Sequence, residues 1–580
     1  MKTISAKRKF YNIANKMIQY KMHSISVDLF RQFVKIFDFI FKFSLLSKLM
    51  EDHTNIIENS ILYRGINKLF YFINMIIYKI GHKFKFFKQY SKVIFIVNKC
   101  KTLFWKRIIS FLLCVINLIL YLVYINIYEA GIESTIILVA VFIIILSLGF
   151  NSSGFFELYK SSCIYKLLIY MFSTKNKNFE LQWLMMFIVF VIPILPKTVS
   201  MVLIIGISII KLISTLMKEK TIFKLDVLIF AIVLYYIMVI IATGTSTNRI
   251  ASIRDFVIHT VGIFWAVTMI ISIKDRRELN SLMTMFVYVA SLIGLYGILQ
   301  YFLGIEMDAA WVDTKNNPDL SVRVYSVFGN PNILGEYLIM ALPISIAMFF
   351  INKGFLKKIV FIGTSGILTL SLLMTFSRGA WLGFGVAFIA MVLLFRKELI
   401  FLFIPTGIIS MFLLPDSIVN RILSIGNIGD SSNAYRIRVW KVALQMIRDN
   451  WIFGVGLGYL PFKVNYLNYI RTMNVYHSHN MFLEIFAEMG IGGFMAMLFL
   501  FSILFKKLYS IIRKRRNMEV EFMALGLIGS MIAVITNGLT ENILYLPKII
   551  WTFWMIVGFS GILIRLENQK SFQTEDNCNG

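Results

Sequence analysis

The stretch Asn474–Gly493, NVYHSHNMFLEIFAEMGIGG, sets His477 and His479 two residues apart, beside Asn480 and ahead of an apolar run holding Glu484 and Glu488. The chain's other four histidines are scattered. An imidazole can take a proton from a hydroxyl, return one, or bind a metal. Metal is the weakest of these. Side chains of His-x-His diverge on a helix, no cysteine lies near, and the helical zinc spacing is absent, so neither a metal nor another cofactor is expected. A plain wet helix end is the bland alternative. If a helix starts near Asn480, Glu484 and Glu488 follow it at i+4 and i+8, a polar stripe along an apolar segment. Ionisable groups at that depth in a membrane are functional candidates. Spacing leaves the two histidines open: His477 extends the Asn480–Glu484 stripe if the helix starts early, and His479 lies on a neighbouring face.

Three arginines offer permanent charge to an anion. In NAYRIRVWKVALQMIRDN, with Arg436 as the origin of a helical wheel, Arg438, Lys441, Gln445 and Arg448 fall at about 120–200°, a solvated basic face. Trp440, Ala443 and Ile447 lie within about 40° of Arg436. Arg436 therefore sits on the apolar face, where an unpaired guanidinium costs roughly 2.5–3.5 kcal/mol in a membrane-like setting. It must bind an anion, pair with a carboxylate or snorkel to water, whereas Arg438 is a surface residue with at most a supporting contact. Arg378, in TFSRGAWLGF, stands at a near loop-free junction of two apolar runs, where Gly379 and Ala380 permit close packing. It is either an interfacial anchor or part of a site shared with Arg436. Arg323 opens RVYSVFGNPNILGEYL, in which Asn330 is a helix cap and Pro331 suits the first helical position. Arg323 is either solvated or a ligand contact.

Apolar runs must position these residues. The chain has 580 residues, is 58% hydrophobic and has a mean hydropathy of +0.74. It reads as an all-α polytopic membrane protein with about 12–14 spans. They are drawn at roughly 108–128, 135–150, 183–196, 198–217, 226–243, 256–273, 281–303, 333–352, 357–376, 379–395, 398–414, 481–507, 521–538 and 547–566. KEKTIFK, KDRRE, NKGFLKK, RKE and KKLYSIIRKRR then fall on one side, which the positive-inside rule makes the cytoplasm. The histidine pair, residues 304–332, the junction at Arg378, the large helical loop 415–480 and NGLTENILYLP fall outside. The net charge of +28 is concentrated at residues 1–107, which hold 21 Lys and Arg against 5 Asp and Glu. Aromatic-rich basic segments beside a membrane domain suit anionic lipid better than nucleic acid, so 1–107 is expected to be a cytoplasmic, membrane-hugging extension. The expected divisions are that extension, N-terminal spans over 108–303, a catalytic membrane region over 304–566, and a polar cytoplasmic tail, 567–580. The four cysteines show no metal or redox spacing, no disulfide is expected, and no cleavable signal peptide is evident. GVGLGY, Gly454 to Tyr459, lacks the preceding strand of a nucleotide-binding loop and reads as a tight turn.

Taken in order, RVYSVFGNPNILGEYL, SRGAWL, YRIRVWKVALQMIRDNWIFGVGLGYL, HSHNMFLEIFAEMGIGG and GLTENILYLP resemble the O-antigen ligase and polymerase family from about Arg323 to Pro547. The resemblance implies a multi-spanning, GT-C-like glycosyltransferase of the cytoplasmic (inner) membrane with an extracytoplasmic active site. Such an enzyme takes a glycan from an undecaprenyl-diphosphate carrier and passes it to a hydroxyl acceptor on a glycan, lipid or protein. By motif, it implies catalytic roles for Arg378, Arg436 and His479, and favours His479 over His477. Arg323, His477, Asn480, Glu484 and Arg438 are then supporting or substrate-binding residues. The chemistry fits. Arginine forks suit a leaving diphosphate, doing the electrostatic work for which other transferases use a metal, and an imidazole suits a hydroxyl of high pKa. A polysaccharide or lipid transporter is the alternative, but the halves show no internal repeat and the candidate residues gather on one side. A cell-wall polymerase of the shape-and-division family shares only the outline.

Overall fold

The computed structural model describes residues 57–72, 75, 179–216, 226–305, 323–400, 415–424, 431–514 and 517–576. The chain divides into two units, Met1–Ile61 and Leu62–Gly580, and the second carries the membrane helices. Most of the basic extension, the expected spans at 108–128 and 135–150, and nearly all of 398–414 lie outside the described residues. Residues 62–72 are helical, and Tyr63 packs edge-on against Phe230 at 5.3 Å.

The described elements are helices: α1 (Phe179–Ile194), α2 (Lys197–Leu216), α3 (Val227–Gly244), α4 (Arg249–Ser272), α5 (Arg276–Phe302), α6 (Pro331–Ile351), α7 (Phe355–Met374), α8 (Arg378–Arg396), α9 (Asp416–Leu423), α10 (Ser431–Asp449), α11 (Tyr459–Tyr469), α12 (Met481–Lys514), α13 (Met518–Gly538) and α14 (Pro547–Asp576). Among the described residues nine of them are long and apolar enough to cross a membrane, namely α3–α8 and α12–α14. The protein is an all-α polytopic membrane protein. The helices start where short polar side chains satisfy otherwise orphaned backbone donors. Asp226, Asp275 and Asn330 accept from Ile229, Glu278 and Asn332 amides, each at 2.8 Å, with Pro331 following Asn330 as the first helical residue.

Burial separates centre from periphery. In α14, 94% of the most apolar window is buried within the protein, against 33% for α7 and for α8. Helix α14 is therefore the axis, while α7 and α8 turn much of their surface outward. Small residues set the close approaches, as membrane helices require. A Cβ added at Gly383 would stand 2.8 Å from the carbonyl oxygen of Ala533, and one at Gly335 2.8 Å from Cβ of Ala380.

Helix α12 is broken. Gly490 has φ 64° and ψ −168°, which interrupts the helical ladder within the apolar run. A loop from the large connection fills the gap. The Val455 and Gly456 amides donate to the Ala487 and Glu488 carbonyls at 2.8 and 3.1 Å, and Ile491 donates to Trp451 at 2.8 Å. Non-helical backbone at membrane depth survives only when protein satisfies it in this way. The expected tight turn at GVGLGY is thus a plug: Gly454, Gly456 and Gly458 all have positive φ, and a Cβ on Gly456 would overlap Oγ of Ser246. Thr247 and Ser252 hydroxyls donate to the Val455 and Leu457 carbonyls at 3.0 and 2.8 Å. The large connection is therefore pinned to the helical bundle by backbone.

Candidate active site

Helix α10 lays Val439, Val442, Ala443, Met446 and Ile447 against Phe462 and Tyr466 of α11, Val475, and Ala487 of α12. This small core fixes the helical phase. Arg438, Lys441, Gln445 and Arg448 are exposed, and the side chain of Arg436 is 16% exposed. Arg436 is not snorkelling: it forms an ion pair with Glu541, in the connection between α13 and α14. Of the three ways to settle its buried charge, pairing with a carboxylate is the one the structure shows.

Glu541 is the hub. Its Oε1 accepts from Arg436 Nη2 and, at 3.1 Å, from Asn332 Nδ2, while Oε2 lies 3.1 Å from Nδ1 of His479. Burial opposes its ionisation, but the Arg436 guanidinium and the hydrogen bond and charge of His479 outweigh this and hold the carboxyl at about 2. An ionised carboxylate can only accept, so Nδ1 of His479 carries the proton that faces Glu541, and in the neutral form of the ring Nε2 keeps a lone pair. A carboxylate on one imidazole nitrogen with the other open is the arrangement that orients a general base.

His477 differs. Its Nδ1 accepts from the His479 amide at 3.2 Å, so its proton sits on Nε2 when neutral. Burial, reinforced by the neighbouring His479, pushes this ring down to about 3. It is a neutral hydrogen-bond donor near neutral pH. The two rings lie 4.0 Å apart by centroid, and Tyr545 covers His477 at 4.5 Å.

Arginines close the other side. Arg323 is buried. Its Nε donates to the Thr375 carbonyl at 2.9 Å and its Nη2 to Asn332 Oδ1 at 2.9 Å, which links it to Glu541 through Asn332. Burial first, then the charges of Arg421, Arg378 and Arg436, push Arg323 down to about 9, with Glu541 opposing. Arg378 opens α8 and donates to the carbonyl and hydroxyl oxygens of Ser424 at 3.2 and 3.3 Å, and Arg421 donates to the Phe376 carbonyl at 3.3 Å. Four guanidinium groups thus share one neighbourhood with one strongly ionised carboxylate.

Asn480 and Glu484 hold the histidine loop. Asn480 caps α12, accepting from Phe482 and Leu483 at 3.0 Å, and donates to the Leu539 carbonyl at 2.9 Å. Glu484 accepts from the Ser478 amide at 2.5 Å. Among the described residues only three non-glycines have positive φ: Ser326, Phe376 and His479. Each is a predicted site residue or lies within three positions of one. Such backbone costs about 1–3 kcal/mol per residue and concentrates where function fixes geometry.

Of the residues singled out from the sequence, the structure joins His479, His477, Arg436, Arg378 and Arg323, gives Asn480 and Glu484 to the scaffold, and leaves Arg438 at the surface. Glu541, Asn332 and Arg421 were missed. A carboxylate in the short GLTEN connection and a second asparagine after the Asn330 cap were the available signals. Glu541 lies in a connection with no helical phase to betray it, and Asn332 sits in the first turn of α6, where a polar residue reads as part of the cap.

Residues 363–498 match the family model described as O-antigen ligase, which bears out the resemblance read from the sequence over that range. Arg323, Asn332 and Glu541 lie outside it and join the site through the fold. The chain is also similar to the teichuronic acid biosynthesis protein TuaE of Bacillus subtilis (strain 168), with 24% identity over 138 residues. That match covers 24% of this chain and 28% of the relative, so it spans less than a third of the relative's length.

Proposed function

We propose that the protein transfers or polymerises glycan from an undecaprenyl-diphosphate carrier onto an acceptor hydroxyl at the outer face of the cytoplasmic membrane. The match of residues 363–498 to an O-antigen ligase family supports a membrane glycan-processing role. The observation that carries the finer reading is the juxtaposition of Arg323, Arg378, Arg421 and Arg436 with the Glu541–His479 pair. In this mechanism Nε2 of His479 takes the acceptor proton, the acceptor oxygen attacks the anomeric carbon, and the bond from that carbon to the phosphate oxygen breaks. The electron pair leaves with the diphosphate, whose charge the arginines stabilise as it develops. Glu541 keeps the imidazole oriented and stabilises its protonated form. Arg436 contributes donors beyond the one given to Glu541, since a guanidinium has five.

The outer-face placement rests on charge. The site lies at the ends of α5, α7 and α13 and the starts of α6, α8, α12 and α14, whereas Lys353, Lys357, Arg396, Lys507 and Arg513 mark the opposite ends. The test is a transfer assay in lipid nanodiscs with an undecaprenyl-diphosphate oligosaccharide and a soluble glycan acceptor. Wild-type protein is expected to release undecaprenyl diphosphate and extend the acceptor, with His479→Ala slower by roughly 10²–10⁴-fold. Movement of the donor across the bilayer without new glycosidic bonds would replace this reading with transport.

A further inference from the structure

Beyond His477 the structure opens a cavity of about 290 Å³ lined by Arg254, Tyr459, Tyr476, Tyr545 and Leu546. Tyr459 faces Tyr545 edge-on at 6.4 Å and lies at a 40° tilt to Tyr476 at 6.2 Å. Flat, amphipathic walls with phenolic hydroxyls match a sugar ring, which offers apolar C–H faces and polar edges. Two cations stand over these walls: Cζ of Arg254 lies 5.0 Å from the Tyr459 centroid, and Nζ of Lys463 4.4 Å from that of Tyr476. Lys463 also donates to the Tyr476 hydroxyl at 3.3 Å. Among the described residues neither cation forms an ion pair, although Arg254 feels the carboxylate of its chain neighbour Asp255. A guanidinium and an ammonium held on aromatic faces beside an open cavity form a receptor for an anion. The volume is at the small end of the roughly 300–1,000 Å³ of ligand pockets, which is room for a single sugar unit. The location matters as well. Tyr545 lines the cavity and packs at a tilt against His477, which packs at a tilt against His479.

We propose that this cavity is an acceptor subsite for a negatively charged sugar, gripped by Arg254 and Lys463 and stacked on Tyr459, Tyr476 and Tyr545, with His477 between it and His479. The proposal rests on the transferase reading, and it names the acceptor's chemistry. Carboxylate and phosphate sugars share the required charge.

The test is equilibrium binding to the full-length protein in nanodiscs, with no donor present. Three probes are used: a glucuronate tetrasaccharide, its carboxyl-reduced neutral counterpart, and the neutral counterpart carrying one phosphomonoester. At least one anionic probe is expected to bind tenfold or more tighter than the neutral one. Arg254→Gln combined with Lys463→Gln is expected to abolish that preference while leaving neutral binding intact, which also reports that the variant is folded. Whichever anionic probe is preferred identifies carboxylate or phosphate as the recognised group. Equal binding of all three probes, or a preference that survives the double substitution, overturns the proposal. Because binding is read without transfer, the two readings fail separately. Loss of the cavity preference with His479-dependent transfer intact leaves the transferase standing, and intact binding without transfer to any acceptor leaves only the receptor.

Discussion

At the scale of single residues, the ion pair between Arg436 and Glu541 has two roles that substitution can separate. Arg436→Lys keeps a cation beside the buried carboxylate but loses the planar fork. Transfer is expected to fall by roughly 10-fold or more with little change in melting temperature, because each 1.4 kcal/mol of lost transition-state stabilisation is tenfold in rate. Arg438→Ala, at an exposed position, is expected to stay within about twofold of wild type, since surface substitutions rarely exceed about 0.5 kcal/mol. Equal loss in both variants would mean that α10 presents a different face to the substrate. His477 supplies a pH prediction. Above its ordinary value of 6.5 the ring is neutral in folded and unfolded chain alike, so its contribution to stability is fully present. As pH falls from 6.5 toward 3 the unfolded chain binds a proton that the folded protein excludes, and stability is lost. Glu541 adds a second acid-side loss between 4.5 and 2, because only the unfolded carboxyl protonates in that window. Thermal melts from pH 8 to 4 are expected to decline below 6.5 in wild type and to decline less in His477→Asn. Parallel curves between 6.5 and 4.5 would remove His477 as the cause.

At the scale of elements, the break in α12 is where the large connection is pinned to the helix that follows the histidine loop. A Cβ on Gly490 would overlap the Ile452 carbonyl oxygen, and its φ of 64° is strained for any other residue. Gly490→Ala is expected to expel the Trp451–Gly456 plug, lowering the melting temperature by several degrees and transfer by at least tenfold. Gly385 is the control. It lies within α8, its Cβ would meet nothing within 4 Å, and its φ is ordinary. Gly385→Ala is expected to be neutral or to stabilise by about 0.5–1 kcal/mol. Melting curves and transfer rates of the two variants check this together. A Gly490→Ala protein as stable and active as Gly385→Ala would mean that the break is incidental.

At the scale of the whole molecule, the charge asymmetry makes a statement about sidedness. Single cysteines at Arg438 and Gln445, both exposed on α10, are expected to react in intact cells with a membrane-impermeant maleimide. A cysteine at Arg513, at the basic end of α12, is expected to react only after permeabilisation. The reverse pattern would put the site on the cytoplasmic side and defeat an acceptor reaction at the outer face.

Spans were legible in the sequence because their signal is local. A run of apolar residues long enough to cross a bilayer excludes most other structures, so expected limits such as 226–243 and 333–352 lie within a few residues of α3 and α6. The placement of Arg436 was legible too, since a helical wheel needs only residues on one helix. The partner of Arg436 was not. Glu541 lies 105 positions away in a connection without periodicity, and only the packing of α6, α10, α12 and α13 brings Asn332, Arg436, His479 and Glu541 together. The same holds for the plug in α12, where the gap at Gly490 and the backbone that fills it are separate stretches of chain. Local signals were enough to place the described helices that are long and apolar enough to cross a membrane, and to set which face of α10 is buried. Which charges meet was settled only by tertiary packing, because ion pairs and backbone bridges between distant segments depend on how helices pack and leave no trace in the spacing along any one of them.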